Sequence, residues 1–294
     1  MIIKSIGWGL IKTFKQGTLI FLFWSVNLII SLIFLFPYLS AFNHFFSERI
    51  VSRLLEQANV YTYYTEFFHF FARPLQIARG NLLLGRLLIL IISVILSAGV
   101  ISTFLRDDQL NSKKFGADSR HFLGRMLRLG IFQLFIVIFF LMVSIVLYLP
   151  VIYFLPSLFV ENIYFYFLIG WAGLAYLFVL FAFLVFDLSR IQLVKQDSPS
   201  ILKTIWMAVL SLWRNPVQIY LLYFLLSLIW AAVILVYWTL QSYLSNNSFT
   251  GILLELVILQ FFVGIQYWIR LSRFSALINI SGIGENQEMA GNIG

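Results

Sequence analysis

The sequence predicts an all-α polytopic membrane bundle of six transmembrane helices, and three observations carry that prediction. Of its 294 residues, 61% are hydrophobic and only 11% are charged, whereas a soluble domain carries roughly 25% charged residues. Six stretches, about 17–40, 81–105, 127–150, 164–187, 217–243 and 251–273, are each apolar enough to cross a bilayer, which takes about 20 such residues for some 30 Å of hydrocarbon. Lys and Arg collect in alternate gaps between these stretches. A water-soluble fold of this length has too little polar surface to cover so much apolar material, and the mean hydropathy of +0.94 points the same way. Continuous apolar runs such as Leu87–Leu96, without alternation, argue against a β-barrel.

Residues 1–16 precede the first span. Ile3, Ile6, Leu10 and Phe14 recur at helical spacing, with Lys4, Lys12 and Lys15 on the other side. This is the pattern of a short amphipathic helix in the headgroup layer. The apolar run that follows, 17–36, exceeds the roughly 7–15 residues of a signal-peptide core, and no A-x-A-like cleavage site comes after it. It reads as a retained anchor. Residues 41–80 carry two amphipathic stripes, Ile50, Val51, Leu54 and Leu55, then Tyr63, Tyr64, Phe67, Phe68 and Phe71, with Pro74 closing the second. The stripes predict an interfacial cap on the external face, with a re-entrant hairpin as the alternative that the charges disfavour.

Between spans two and three lie Arg106, Lys113, Lys114, Arg120, Arg125 and Arg128; between four and five lie Arg190, Lys195, Lys203 and Arg214; Arg270 and Arg273 end span six. The gaps 151–163 and 244–250 contain neither Lys nor Arg. The positive-inside rule therefore places both termini in the cytoplasm. Arg49, Arg53, Arg73 and Arg79 fit less well, although Glu48, Glu56 and Glu66 partly balance them and long loops obey the rule loosely.

Ahead of span five, Ser198 is placed to cap a helix with Pro199 at its first position. Ile201, Leu202, Ile205, Trp206, Val209, Leu212 and Trp213 form its apolar face, and Asn215-Pro216 stops it. This predicts a cytoplasmic elbow helix over 199–214. A shorter version starts near Ser119, where His121, Arg125 and Arg128 share a face. Basic amphipathic segments thus precede spans one, three and five, as in three outward-opening hairpins. Residues 1–280 are expected to form one membrane domain, and the glycine-rich polar tail 281–294 to be disordered and cytoplasmic.

Three places carry a family likeness: Ser97-Ala98-Gly99 closing span two; Phe115 followed by His121-Phe122-Leu123-Gly124-Arg125; and Phe186-Asp187-Leu188-Ser189-Arg190 closing span four. In these the chain resembles a broad group of uncharacterised bacterial six-helix membrane proteins, loosely related to the membrane region attached to some glycerophosphodiesterases. The resemblance implies a fold and a location, the bacterial cytoplasmic (inner) cell membrane. It implies no activity and no catalytic residue, and the chain has no glycerophosphodiesterase domain.

Chemistry-bearing residues are few. The chain has no cysteine, which excludes disulfides, thiolate metal sites and cysteine nucleophiles. The net charge of +8 follows from the sidedness of Lys and Arg rather than from nucleic-acid binding. Arg86 and Glu255 lie at similar depth near the outer ends of spans two and six. Either they form an intramembrane pair, or Arg86 snorkels outward and Glu255 faces the headgroups. Asn27, Gln133, Gln260 and Gln266 are the other hydrogen-bonding groups within spans; they suit interhelical bonds, or the lining of a path. Asp187 and Arg190 suggest a local surface pair contributing a few tenths of a kcal/mol. His44, His69 and His121 are too scattered for one metal site. Ser97-Ala98-Gly99 and Gly170-Trp171-Ala172-Gly173 suggest close helix packing, and Gly7-Trp8-Gly9 follows no strand and so is no dinucleotide loop. No GxSxG, Walker A or paired-carboxylate pattern occurs.

No catalytic constellation, cofactor or metal site is therefore expected. The expected function is that of a non-enzymatic membrane protein that organises the envelope or scaffolds partner proteins, touching the bilayer and anionic lipids at its cytoplasmic face. A small transporter or lipid-handling permease is the alternative. A polar cavity lined by Asn27, Gln133 and Gln260 would favour the alternative; a dry bundle would favour the scaffold.

Overall fold

Backbone N–H and C=O groups find no water inside a bilayer, so a spanning segment must satisfy them internally, and long apolar runs become helices. The computed structural model describes residues 2–48, 72–107, 110–154, 161–244 and 249–280. Among these, every regular element is a helix: α1 (Ile2–Lys15), α2 (Gly17–Glu48), α3 (Ala72–Arg106), α4 (Ser112–Phe154), α5 (Glu161–Gln196), α6 (Ile201–Arg214), α7 (Pro216–Leu244) and α8 (Phe249–Ile280). Six of them, all but α1 and α6, are long and apolar enough to cross a membrane. The protein is an all-α, multi-pass membrane bundle.

The helices overrun the apolar stretches. α4 begins at Ser112, so His121, Arg125 and Arg128 occupy the first turns of a spanning helix rather than a separate elbow. Asn111 caps it, its Oδ1 accepting from the backbone N of Lys113 at 3.1 Å, and no Pro interrupts the helix until Pro150. α2 extends to Glu48, and α3 starts at Ala72. Pro74 therefore lies in the first turn of α3, where a backbone N–H has no intrahelical partner to lose. The stripes over 50–55 and 63–71, with His69, and the tail 281–294 lie outside the described residues.

The elbow before the fifth span is present as α6, with its start shifted. Ser200, not Ser198, is the N-cap: its φ and ψ are −93° and 115°, and its side chain accepts from the Lys203 N–H. In Ser198-Pro199-Ser200 either serine precedes helical sequence. Ser200 is the one three residues before an N–H that needs an acceptor. Pro216 then opens α7 at the position where proline is best tolerated.

The described chain forms two compact units, Met1–Phe21 with Val94–Gly294, and Leu22–Ser93. Within Leu22–Ser93, Gly85 of α3 lies against Phe34 of α2, where a Cβ would stand 2.9 Å from the ring.

Within the larger unit, α1 packs on α8, α4 on α5, α5 on α6 and α7, and α7 on α8. Gly9 lets α1 approach α8 closely; a Cβ there would stand 2.8 Å from Ala276 Cβ and 3.0 Å from the Ser272 carbonyl oxygen. Gly99 does the same for α3 on α4, against Phe115 and Ser119. That fits the small-residue packing expected of Ser97-Ala98-Gly99. Gly170 and Gly173 differ: a Cβ on either would meet nothing within 4 Å. Trp171 instead stacks on Tyr148, ring centroids 6.3 Å apart, and on Phe167.

The buried residues of this unit concentrate at its Lys- and Arg-rich end. They run along 94–104 of α3, 115–133 of α4, 180–193 of α5, 219–227 of α7 and 267–280 of α8. The opposite stretches of α4, α5, α7 and α8 expose Leu, Ile and Phe, as helices do when hydrocarbon is their solvent.

Candidate functional site

The last turns of α5 lie among α4, α7 and α8, and that placement decides the environment of Asp187 and Arg190. Spacing of i,i+3 sets both on one helical face. That face is turned inward, leaving Asp187 only 7% and Arg190 only 5% exposed. The surface pair expected from the sequence is therefore a buried one. Removing such ions from water costs several kcal/mol each unless other hydrogen bonds complete them.

Those bonds come from three neighbouring helices. Asp187 Oδ1 accepts from Arg190 Nη1 at 3.0 Å, and its Oδ2 accepts from the Tyr223 hydroxyl of α7 at 2.8 Å. Arg190 Nη2 donates to Gln133 Oε1 of α4. Arg273 of α8 donates from Nη1 to the Tyr223 oxygen at 3.3 Å, and its guanidinium lies 5.2 Å from the centre of that ring. Arg270, one turn earlier on α8, lies within electrostatic range of Arg190, Asp187 and Arg273. Gln133, Asp187, Arg190, Tyr223 and Arg273 thus form one chain of polar contacts through four spanning helices. Both carboxylate oxygens of Asp187 are engaged, which suits it to holding cations in place rather than to proton transfer.

A second tier of ion pairs lies outside this core, at the ends of α3 and α5. Each of these helices is followed by an aspartate in the left-handed region, Asp107 with φ 55° and Asp197 with φ 46°. Asp tolerates that conformation better than most residues because its short polar side chain bonds locally. Asp107 pairs with Lys12 of α1, whose ammonium also donates to the Phe104 carbonyl at 3.2 Å and sits 4.5 Å from the Trp8 ring centre. Asp197 takes Arg125 Nη1 and, at 3.1 Å, His121 Nε2, both from α4. The hydrogen bond from Arg125, reinforced by that from His121, holds the exposed Asp197 carboxyl below its ordinary range. Asp118 similarly receives Arg106 and the Ser102 hydroxyl, the latter at 2.7 Å. His121 therefore belongs to an ion-pair cap that closes the α5 end.

The other residues singled out in the sequence are dispersed. Glu255 accepts from Gln241 Nε2 of α7 at 3.0 Å, a partner within its own unit. Arg86 belongs to the Leu22–Ser93 unit, as does Asn27, and its side chain is exposed. Gln260 Oε1 is buried without a hydrogen-bond partner, and Gln266 lines a small groove with Trp230 and Phe262. The sequence did not reveal Tyr223, Arg270 or Arg273 as members of a site. The available signal was faint: two tyrosine hydroxyls, Tyr220 and Tyr223, in the apolar run 219–226, and two arginines at i,i+3 where a span ends. No family model, curated protein or solved structure matches this chain.

Proposed function

We propose that the protein is a non-enzymatic integral membrane protein of a bacterial cytoplasmic membrane, both termini inside, that organises the envelope or scaffolds partner proteins. One observation carries the reading: Gln133, Asp187, Arg190, Tyr223 and Arg273 are turned onto one another to tie four helices together, and so do not line a passage. A buried polar network that bonds neighbouring helices to one another holds a bundle in one arrangement, which suits a platform better than an alternating carrier.

The absence of native cysteine makes a clean test. Single-cysteine variants at Gln133, Ser144 and Gln260 should resist a membrane-impermeant thiol reagent applied from either side, and crosslinking in native membranes should return a constant protein partner. Labelling at all three positions would sink the scaffold and favour a permease.

That second reading has one observation of its own. A groove of about 520 Å³ between α5, α6 and α7 is lined by Leu177, Phe181, Leu212, Pro216, Tyr220 and Phe224. Its lining suits an acyl chain, as a lipid-handling protein would need. Delivery of a spin-labelled lipid into this groove, lost in Leu177→Trp, would support it; broadening of the lipid signal that is unchanged by the variant would count against it.

A further inference from the structure

We propose that the corner between α6 and α7 holds one anionic phospholipid, an acyl chain in the groove beside α5 and its phosphate on Arg214. The inference rests on the acyl-chain reading of that groove and goes beyond it by fixing the headgroup class and the residue that selects it. The groove itself suits hydrocarbon. Leu177 and Phe181 of α5, Leu212 of α6 and Pro216, Leu221 and Phe224 of α7 line it. Tyr220, the one polar side chain among the described lining residues, already donates its hydroxyl to the Leu177 carbonyl at 3.4 Å. A polar ligand would lose its water there and gain no donor in return. The volume of about 520 Å³ falls within the roughly 300–1,000 Å³ of small-molecule pockets.

A chain lying in this groove has a cation at its mouth. Leu212 and Pro216 both line the groove, and Arg214 stands two residues from each, so its Cα lies within about 8 Å of theirs. Arg214 is exposed and has no ion-pair or hydrogen-bond partner among the described residues. Beside it Trp213 is 75% exposed, and Trp favours the headgroup level. The far wall, at Leu177, lies about 15 Å along α5 from Asp187, toward the apolar half of that helix. The groove therefore leads from a basic corner into hydrocarbon, as a lipid does from head to tail. Charge selects the head. From Ser198 to Leu254 the sequence contains Lys203 and Arg214 and no Asp or Glu. A zwitterionic headgroup would bring an ammonium to a corner where this stretch offers it no carboxylate. An anionic headgroup brings phosphate oxygens, which the planar fork of a guanidinium matches.

The full chain can be placed in phosphatidylcholine nanodiscs with a trace of tail-spin-labelled phosphatidylglycerol or phosphatidylcholine, and the immobilised fraction of each label measured. The part of that signal abolished by Leu177→Trp is the part held in the groove. If Leu177→Trp does not fold, Leu221→Trp obstructs the same groove. Within the groove signal, wild type should favour phosphatidylglycerol about fivefold, the ratio one basic side chain gives near an anionic lipid. Arg214→Gln should equalise the two headgroups. Lys203→Gln, an exposed cation about 16 Å back along α6, should leave the preference intact. The same preference in wild type and Arg214→Gln overturns the proposal and leaves the acyl-chain reading standing. A signal that neither tryptophan variant changes removes both. Equal losses in Arg214→Gln and Lys203→Gln mean diffuse surface attraction and overturn the proposal too. So does a dimeric protein whose groove takes neither label, which assigns the groove to a second copy.

Discussion

At the scale of single residues, Asp187 shows how much the value of an ion pair depends on its surroundings. On an exposed helix face the same i,i+3 spacing contributes a few tenths of a kcal/mol. Enclosed by Gln133, Tyr223 and Arg190, the carboxylate cannot be removed without leaving a cation stranded. Asp187→Asn should therefore destabilise the protein by about 3–5 kcal/mol, and Tyr223→Phe, which removes one hydrogen bond to a charged group, by about 1.5–3 kcal/mol. Chemical unfolding in detergent of the two variants against wild type would measure both. Equal, small losses would mean that the network contributes little.

Asp197 is the residue whose contribution should vary with pH. Its folded pKa is depressed by the hydrogen bonds from Arg125 and His121. The stabilisation is therefore present above the ordinary carboxylate range and is lost as pH falls through the lower, folded value. Asp197→Asn should melt below wild type at neutral pH, and the two midpoints should converge in acid. The left-handed backbone at this position permits a further separation. Asp197→Gly keeps the favoured conformation and loses only the ion pairs, whereas Asp197→Ala loses both. The order of midpoints at neutral pH should be Asp, then Gly, then Ala.

At the scale of elements, α1 carries two glycines with opposite roles. A Cβ at Gly7 would meet nothing within 4 Å, whereas at Gly9 it would strike Ala276 and the Ser272 carbonyl. Gly7→Ala should stabilise α1 by up to about 1 kcal/mol through helix propensity. Gly9→Val should cost about 1–3 kcal/mol by forcing α1 off α8, seen as faster proteolysis of the N-terminal helix. A shared sign for the two variants would contradict the close approach. Sequence alone could not separate them, because Gly7-Trp8-Gly9 shows where glycines are and not which neighbour each one meets. The same limit explains Gly170 and Gly173, which look like packing points yet face open space. α6 makes a related point: its outer face presents Leu202, Trp206 and Trp213, the last 75% exposed, while its buried face is Thr204, Ala208 and Leu212. The amphipathic pattern was legible, but its larger apolar side is the one turned outward, as expected of a helix lying in lipid headgroups.

For the whole molecule, the orientation proposed from Lys and Arg makes a direct prediction. Single cysteines at Lys113 or Lys203 should react with an impermeant reagent only after the cytoplasmic side is opened; labelling in intact cells would invert the topology. The six spans were readable because hydrophobicity is a local property, summed along about 20 consecutive residues. Helix ends were less readable. α4 runs unbroken from Ser112 because nothing after its Asn111 cap breaks it, although its composition changes from basic to apolar within the helix.

The sequence by itself determined the solvent, the helical class, the number of spanning segments and a charge-sided asymmetry, because each is encoded in consecutive residues. The tertiary structure decided which charges meet. Asp187, Arg190, Gln133, Tyr223 and Arg273 come from four helices separated by long stretches of chain, and Coulomb and hydrogen-bond energies depend on distances in space that one-dimensional order does not contain.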